Sequence, residues 1–425
     1  MLIDYKHNQS SASTYNHLLQ YQQNDDYDYI STDLTTKIEF SNDISYEVLI
    51  ELLDNIDSKY LQSHLKEIFQ VYNLNDCVSK FLLSPSPNIS INILQKCRNF
   101  INSEILLSNK KFCTILFLVL KKHLQNGNAI YLCLDILLQI FGLGIDILQI
   151  SLSYIPISYL TQYFFQDYPN QVIELIRIAS NFEISDNDKL SILNFLHQQI
   201  QSQNPDEDLL LYTISSMKTI PSIPKQFCNL IFKIIQKRLH QNDPLSIKSL
   251  ANMYNSHILS ISIDYFNEIL EIFQNNTNFL NFDNWMFLII SIVSYSRDLA
   301  IYVSSTPLIY DMINISHELS NNQKYLIFCF IISIVKQCTN EFFETANLEI
   351  LFNFLLTFVH CSTKDVIEEI LVIILHMLNF VSEEQRKIIL DNEDLRDYID
   401  QYETDNDNKL TTQIKCIRQL IIDSS

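Results

Sequence analysis

The sequence predicts an all-α protein, a right-handed α-solenoid of roughly eight to ten stacked helical repeats in one elongated domain. Three observations carry this expectation. Only three of the 425 residues are glycine, at Gly127, Gly142 and Gly144. From Asp43 onward, apolar residues recur at the three- and four-residue steps of a helix with few breaks. Short polar turns, each followed by an apolar helix of about a dozen residues, return with a long period.

Glycine supplies the tight hairpin turns, phosphate loops and close backbone approaches of most sheet-based folds. Its scarcity argues against doubly wound sheets, barrels and P-loop enzymes. Helices joined by Asn, Ser and Asp turns need little of it, because Asn also tolerates the left-handed conformation at a helix end.

The helix pattern begins with Glu47–Ile56 and Tyr60–Tyr72. In the second of these, Leu61, Leu65, Ile68 and Tyr72 share one face. The periodic helices then start near Asn88, Asn128, Asn170, Pro205, Pro244, Asn284, Asn322 and Asp365. Their spacings are about 40, 42, 35, 39, 40, 38 and 43 residues, as in helical repeats. Before several of them lies another apolar helix: Phe112–Gln125, Pro156–Gln166, Lys225–Gln241 and Asn347–Val359. Ile145–Leu152 is a third, shorter piece. Half repeats are expected near Ser58 and Asn408. In Asn204-Pro205-Asp206-Glu207-Asp208, Asn204 reads as the N-cap, Pro205 as the first helical residue, and acids fill the first turn. Asp243-Pro244 repeats the cap and proline. Pro221–Pro224 and Pro307 sit between helices. A helix pair cannot bury its apolar face alone, so stacked copies give one continuous core over residues 41–425. Residues 1–40, rich in Gln, Asn, Ser, Tyr and Asp, read as a flexible polar and acidic tail with one weak helix near Tyr15–Gln22.

The chain carries 29 basic and 49 acidic residues, a net charge of −20. That charge repels nucleic acid over most of the surface. Lys110/Lys111 and Lys121/Lys122 flank an apolar run and read as helix-end charges. The nine cysteines are odd in number, form no CxxC, and mostly sit in apolar runs, among them Cys113, Cys133, Cys228 and Cys329. They read as buried reduced thiols of a cytosolic or nuclear protein. No secretory signal is expected, because Met1–Ser31 is polar. No membrane association is expected. The stretch Ile130–Ile150 carries Asp135, Gln139, Asp146 and Gln149, and Phe112–Leu120 and Trp285–Val293 are short.

Chemistry is sparse. The ten histidines are scattered, and His197, His240, His257 and His317 fall near helix ends, where they complement the dipole. No HExxH or Cys/His pairing appears, so no metal or other cofactor is expected. Gly142-Leu143-Gly144 reads as a helix break. Asp391–Asp407 reads as a solvated acidic end. Its Asp405-Asn406-Asp407-Asn408 loop lacks the glycine and terminal Glu of a calcium loop. The expected role is therefore non-enzymatic: a protein-binding scaffold or adaptor.

Asp76–Asn102, DCVSKFLLSPSPNISINILQKCRNFIN, resembles the armadillo pattern of an apolar second helix, a Ser/Pro/Asn turn and a third helix ending in Asn. As a pattern the resemblance runs from Asp43 to Ile422; HEAT repeats have a similar length. It implies a concave groove lined by third helices. In importin-α-like adaptors these carry a Trp and, four residues later, an Asn that hold an extended basic peptide. Here, eleven positions after each start stand Asn99, Gln139, Asn181, Ser216, Asn255, Tyr295, Ser333 and His376, all polar. Four residues earlier stand Gln95, Asp135, Arg177, Tyr212, Ala251, Ser291, Cys329 and Val372, with no Trp among them. The basic N-terminal arm of such adaptors is absent too, since Met1–Phe40 has only Lys6 and Lys37.

The resemblance thus implies a partner protein held as an extended segment. Asn99, Gln139, Asn181 and Asn255 would bond its backbone through donor and acceptor. Asp135, Glu174 and Asp208 would favour basic side chains, Arg177 and Lys248 acidic ones, and Tyr212 and Tyr295 complete the surface. The polar positions would equally mark the solvent side of each repeat. The alternatives are a divergent importin-α-like transport adaptor, and a structural or regulatory subunit that packs through its convex face.

Overall fold

The computed structural model describes residues 45–55, 74–201, 206–275, 281–359, 363–401 and 408–424. These hold 23 α-helices and no strand. The expected tail, its weak helix, Tyr60–Tyr72, the half repeat at Ser58 and the Asp405–Asp407 loop lie outside them. The chain divides into two compact units, Met1–Ala179 and Ser180–Ser425.

In the first unit, α1 (Tyr46–Asn55), α2 (Leu74–Leu82) and α3 (Pro87–Cys97) pack together. Then come α4 (Ser103–Ser108), α5 (Lys110–Gln125), α6 (Ile130–Phe141), α7 (Ile145–Tyr154), α8 (Ile157–Phe164) and α9 (Pro169–Ser180). Helix α5 packs on α2, α4, α6 and α7. Asn102 and Asn109 cap α4 and α5, each accepting a backbone N–H at 2.9 Å. Helix α5 ends in a Schellman turn. Gly127 (φ 69°) donates to Leu124 O and Asn128 to His123 O. The break between α6 and α7 falls at Gly142–Gly144, as the glycines predict, with Gly144 at φ 133°.

The second unit holds α10 (Asp186–Ile200), α11 (Glu207–Ser216), α12 (Lys225–Leu239), α13 (Pro244–Asn255), α14 (Ile263–Asn275), α15 (Phe282–Tyr295), α16 (Arg297–Ser304) and α17 (Leu308–Ile315). It continues through α18 (Asn321–Thr345), α19 (Leu348–Val359), α20 (Lys364–Met377), α21 (Glu383–Leu390), α22 (Glu393–Gln401) and α23 (Asn408–Ser424). Its spine is a ladder. Helix α11 packs on α13, α13 on α15, α15 on α18 and α18 on α20. Every rung begins within two residues of a periodic start. Helices α12, α16 and α19 form a second layer against α13, α18 and α20. The faces between are apolar and closed: Leu250, Ala251, Met286, Ile289, Phe330, Ile331 and Ile370 have no exposed surface.

Two local expectations are corrected. The N-cap of α11 is Asp206, whose carboxylate accepts from Leu209 N at 2.9 Å; the helix starts at Glu207, two residues later than the Asn204-Pro205 reading. An acidic side chain two residues nearer the apolar run caps better placed N–H groups. Helix α18 is 25 residues long rather than about a dozen. A Ser320/Gln323 capping box starts it, and Cys338 (φ −147°, ψ 58°) bends it so that its far end lies on α16.

By length and apolar content α18 could cross a membrane, and half of its most apolar window is buried within the protein, as for a core helix. Helices α15 and α16 would pass the same test together, but they bend by 117°. Of the eight described cysteines, Cys97, Cys113, Cys133, Cys228 and Cys338 are buried, and none is in a disulfide. Burial pushes Cys113 and Cys338 up to about 11 and Cys133 up to about 12.

Candidate surface along the third helices

Seven of the eight polar positions predicted by spacing fall in the last turn of a third helix or just past it. Ser216, Asn255 and Tyr295 are the last residues of α11, α13 and α15, and His376 is next to last in α20. Asn181 follows α9 directly, Asn99 stands two residues past α3, and Gln139 two residues before the end of α6. Ser333 is the exception and lies inside α18, before its bend at Cys338. None is buried; Tyr295 is 52% exposed. A count of eleven along a helix of about twelve residues ends in its last turn. There the final carbonyls lack helical partners and polar side chains are useful.

In the second unit the row is knitted from rung to rung. Tyr212 Oη donates to Asn181 Oδ1 at 3.1 Å. Ser256 Oγ accepts from Ile220 N at 2.8 Å. The His257 ring meets Tyr295 edge-on with centroids 4.5 Å apart. Gln337 donates to Ser294 O at 2.5 Å, and Phe343 stacks on His376 and Phe380. The strongest joint is Asn252, one turn before Asn255 and 6% exposed. Its Nδ2 lies 3.0, 3.0 and 2.9 Å from the carbonyls of Ile214, Ser215 and Met217, and so serves the open end of α11. Ser249 donates to Leu211 O at 2.9 Å below it. Counting selected Asn255 and missed Asn252. The available signal was a second amide on the same helix, one turn closer to the core.

The predicted charges already have partners within the chain. Arg98 Nε lies 2.7 Å from Asp135 Oδ2, a charge contact without hydrogen-bond alignment. Arg177 and Glu174 approach to 3.6 Å, both well exposed. Arg238 holds Asp208, and Glu207 at 3.1 Å, which raises its own pKa. Lys248 lies exposed on α13. Among features unforeseen in the sequence, Lys189 is 1% exposed and pairs with Glu183; it also donates to Thr219 Oγ1 at 2.7 Å. A buried ammonium needs such partners.

Trp285 is 1% exposed, and its indole N–H serves Asn242 within the chain. Ser90 and His123 form a buried pair, Oγ to Nε2 2.9 Å. Ser90 spends its proton on Leu82 O at 2.8 Å, so it is a packing contact rather than an exposed nucleophile. Among the described residues no group of three or more His, Cys, Asp or Glu could hold a metal ion.

This packing, with parallel rungs about forty residues apart and a second helical layer, is that of armadillo- and HEAT-like helical repeats. An engineered protein of solved structure is similar with a TM-score of 0.54 at 10% identity, over 92% of this chain and 98% of that one. A chain from a study of the cadherin and beta-catenin interaction gives 0.47 at 10% identity, over 93% and 84%. Importin beta gives 0.42 at 10% identity, over 94% and 53%. At such identity the likeness is one of fold. No family model and no curated protein matches the sequence.

Proposed function

We propose that this chain is a non-enzymatic scaffold that holds an extended segment of a partner protein across the ends of its third helices. The observation that carries the reading is the row of Tyr212, Asn255, Tyr295, Ser333 and His376, outside the core on the successive rungs α11, α13, α15, α18 and α20, with Asn181 bonded to Tyr212. A rigid ladder of amides and aromatic edges spaced one helix apart matches an extended chain, which presents backbone groups at regular intervals. Asn99 and Gln139 would act alike on the first unit. Asp135, Glu174 and Arg177 would exchange their internal partners for the side chains of the segment; Asp208, in the first turn of α11, stands at the opposite end of its helix from the row and falls outside it. With a net charge of −20, basic segments are favoured in encounter. The proposed setting is the cytosol or nucleus.

The test is a paired affinity purification. One bait is the wild-type chain; the other has Asn99, Gln139, Asn181 and Asn255 all changed to Ala, with helicity checked by circular dichroism. Loss of specific partners from a folded variant supports the surface. Identical partner lists would sink it. Direct binding of a lysine-rich localisation peptide that the variant loses would turn the reading towards a transport adaptor.

A further inference from the structure

The turn between α2 and α3 reads Leu83-Ser84-Pro85-Ser86 and leads into Pro87, the first residue of α3. It holds two of the three Ser/Thr-Pro dipeptides in the chain; the third is Thr306-Pro307. The two serines differ in their surroundings. Ser84 N donates to Phe81 O at 3.1 Å, and Ser84 Oγ accepts from Ser86 N at 3.2 Å, so Ser84 closes the end of α2. Ser86 is the N-cap of α3, in the extended region at φ −79°, ψ 115°, as a residue before proline prefers. Its hydroxyl makes no capping bond, although an N-cap serine commonly makes one. Ser86 is half-buried between the exposed Pro85 and Pro87, and the described peptide bonds are all trans.

The turn is tied to the protein just beyond these residues. Ser90 is buried, and its Oγ donates to Leu82 O at 2.8 Å beside His123. Thr306 offers none of this. Its Oγ1 and its N–H both donate to Val303 O, at 2.8 and 3.0 Å. Ser305 and Pro307, on either side, have helical dihedrals.

We propose that Ser86 is a phosphorylation site for a proline-directed protein kinase, with ATP as the donor. Such an enzyme takes a serine whose hydroxyl is not engaged, on extended backbone, followed by a trans proline. That proline has no N–H to strip of water on entering an apolar pocket. The chain bends at Pro85, so the first turn of α3 must fray for Pro87–Ile89 to enter the kinase. Fraying costs least there, because the first N–H groups of a helix have no helical partners. Ser86 Oγ attacks the γ-phosphorus of ATP. The new O–P bond forms as the bond from that phosphorus to the ADP oxygen breaks, and the hydroxyl proton passes to the catalytic base of the kinase. The product carries about two negative charges at the start of α3, whose first turn has no acidic residue to repel them. This inference does not use the amide row of the third helices.

The test incubates the folded, full-length chain with ATP, magnesium and a purified kinase of the cyclin-dependent type, and separately with one of the mitogen-activated type. Mass spectrometry locates the phosphoryl group. Synthetic peptides Lys80–Asn92 and Ala300–Met312, which present the same dipeptides free of the fold, are the comparison. The expected result is that both peptides are labelled, and the folded chain is labelled at Ser86. Thr306 in the folded chain should react about tenfold or more slowly, because a helical turn must open first. Ser86→Ala should lose the label from the turn and keep the thermal midpoint, since the hydroxyl removed makes no capping bond. The quadruple Ala variant of the amide row should be labelled like the wild type, so the two proposals fail separately. Absence of label at Ser86 in the folded chain with both kinases overturns the proposal. So does label that stays in the turn of Ser86→Ala, or equal labelling of Thr306.

Discussion

The indole N–H of Trp285 donates to Asn242 Oδ1 at 2.6 Å, and so the single tryptophan ties α15 to the turn that starts the preceding rung. Asn242 sits in the left-handed region at φ 57°, and Asn281, at φ 68°, donates to its carbonyl at 2.9 Å. Two strained amides and one ring thus lock adjacent repeats. Trp285→Phe should destabilise the second unit by about 1–3 kcal/mol, from the lost hydrogen bond and the unfilled volume. Asn242→Gly relieves the strain but loses the same bond. Urea denaturation of the singles and the double should give a coupling energy; additive effects would mean that the contact adds no stability.

Asn252 and Asn255 make a paired test on one helix. Asn252→Ala removes both amide N–H groups that the carbonyls at the end of α11 share in a buried site, a loss of about 2–4 kcal/mol. Asn255→Ala, at the partly exposed helix end, should change stability by no more than ~0.5 kcal/mol. Equal losses would contradict the division between joint and surface.

His123 brings a pH dependence to the first unit. Burial, with Lys122 beside it, lowers its pKa. Because Ser90 donates to Leu82, Nε2 must carry the ring proton, and Nδ1 is buried without a partner. The unfolded chain, with an ordinary histidine pKa near 6.5, binds the proton more readily than the folded one. Stability contributed here is complete above that value. It falls as pH drops through it and levels off below the lowered folded value. His123→Gln should flatten this part of the stability–pH curve between pH 7 and 5; an unchanged slope would remove His123 as its source.

The turn between α5 and α6 contains Gly127 at φ 69° and Ala129 at φ 49°, both left-handed. Gly127→Ala should cost about 1 kcal/mol and Ala129→Gly should gain slightly less, since only Ala carries a Cβ strained there. No atom lies within 4 Å of a Cβ built on Gly127, so any loss at that site reports backbone strain rather than a clash. Thermal denaturation of both variants would show opposite shifts; shifts of one sign would disprove the strain argument.

The period of about forty residues was legible because each repeat must bury the same apolar stripe and restart at a capped polar turn. Pro244 with Asp243, the Gly142–Gly144 break and the apolar runs of α5, α12 and α19 all follow from local pattern. The amide row was legible as spacing, but not its place at the helix ends. The internal pairing of Asp135, Asp208 and Asn181 could not be read, because Arg98, Arg238 and Tyr212 belong to other helices.

By itself, the sequence determined an all-helical repeat with a long period, its acidic character, and the scarcity of glycine turns. These depend on residue type and on neighbours within one or two helical turns. Only the tertiary structure decided that Asn252 rather than Asn255 holds two rungs together, and that α18 runs past its repeat and bends at Cys338. Those outcomes depend on which of several similar polar groups meets an open carbonyl or a closed apolar face about forty residues away in the chain. Periodicity alone carries no record of that meeting.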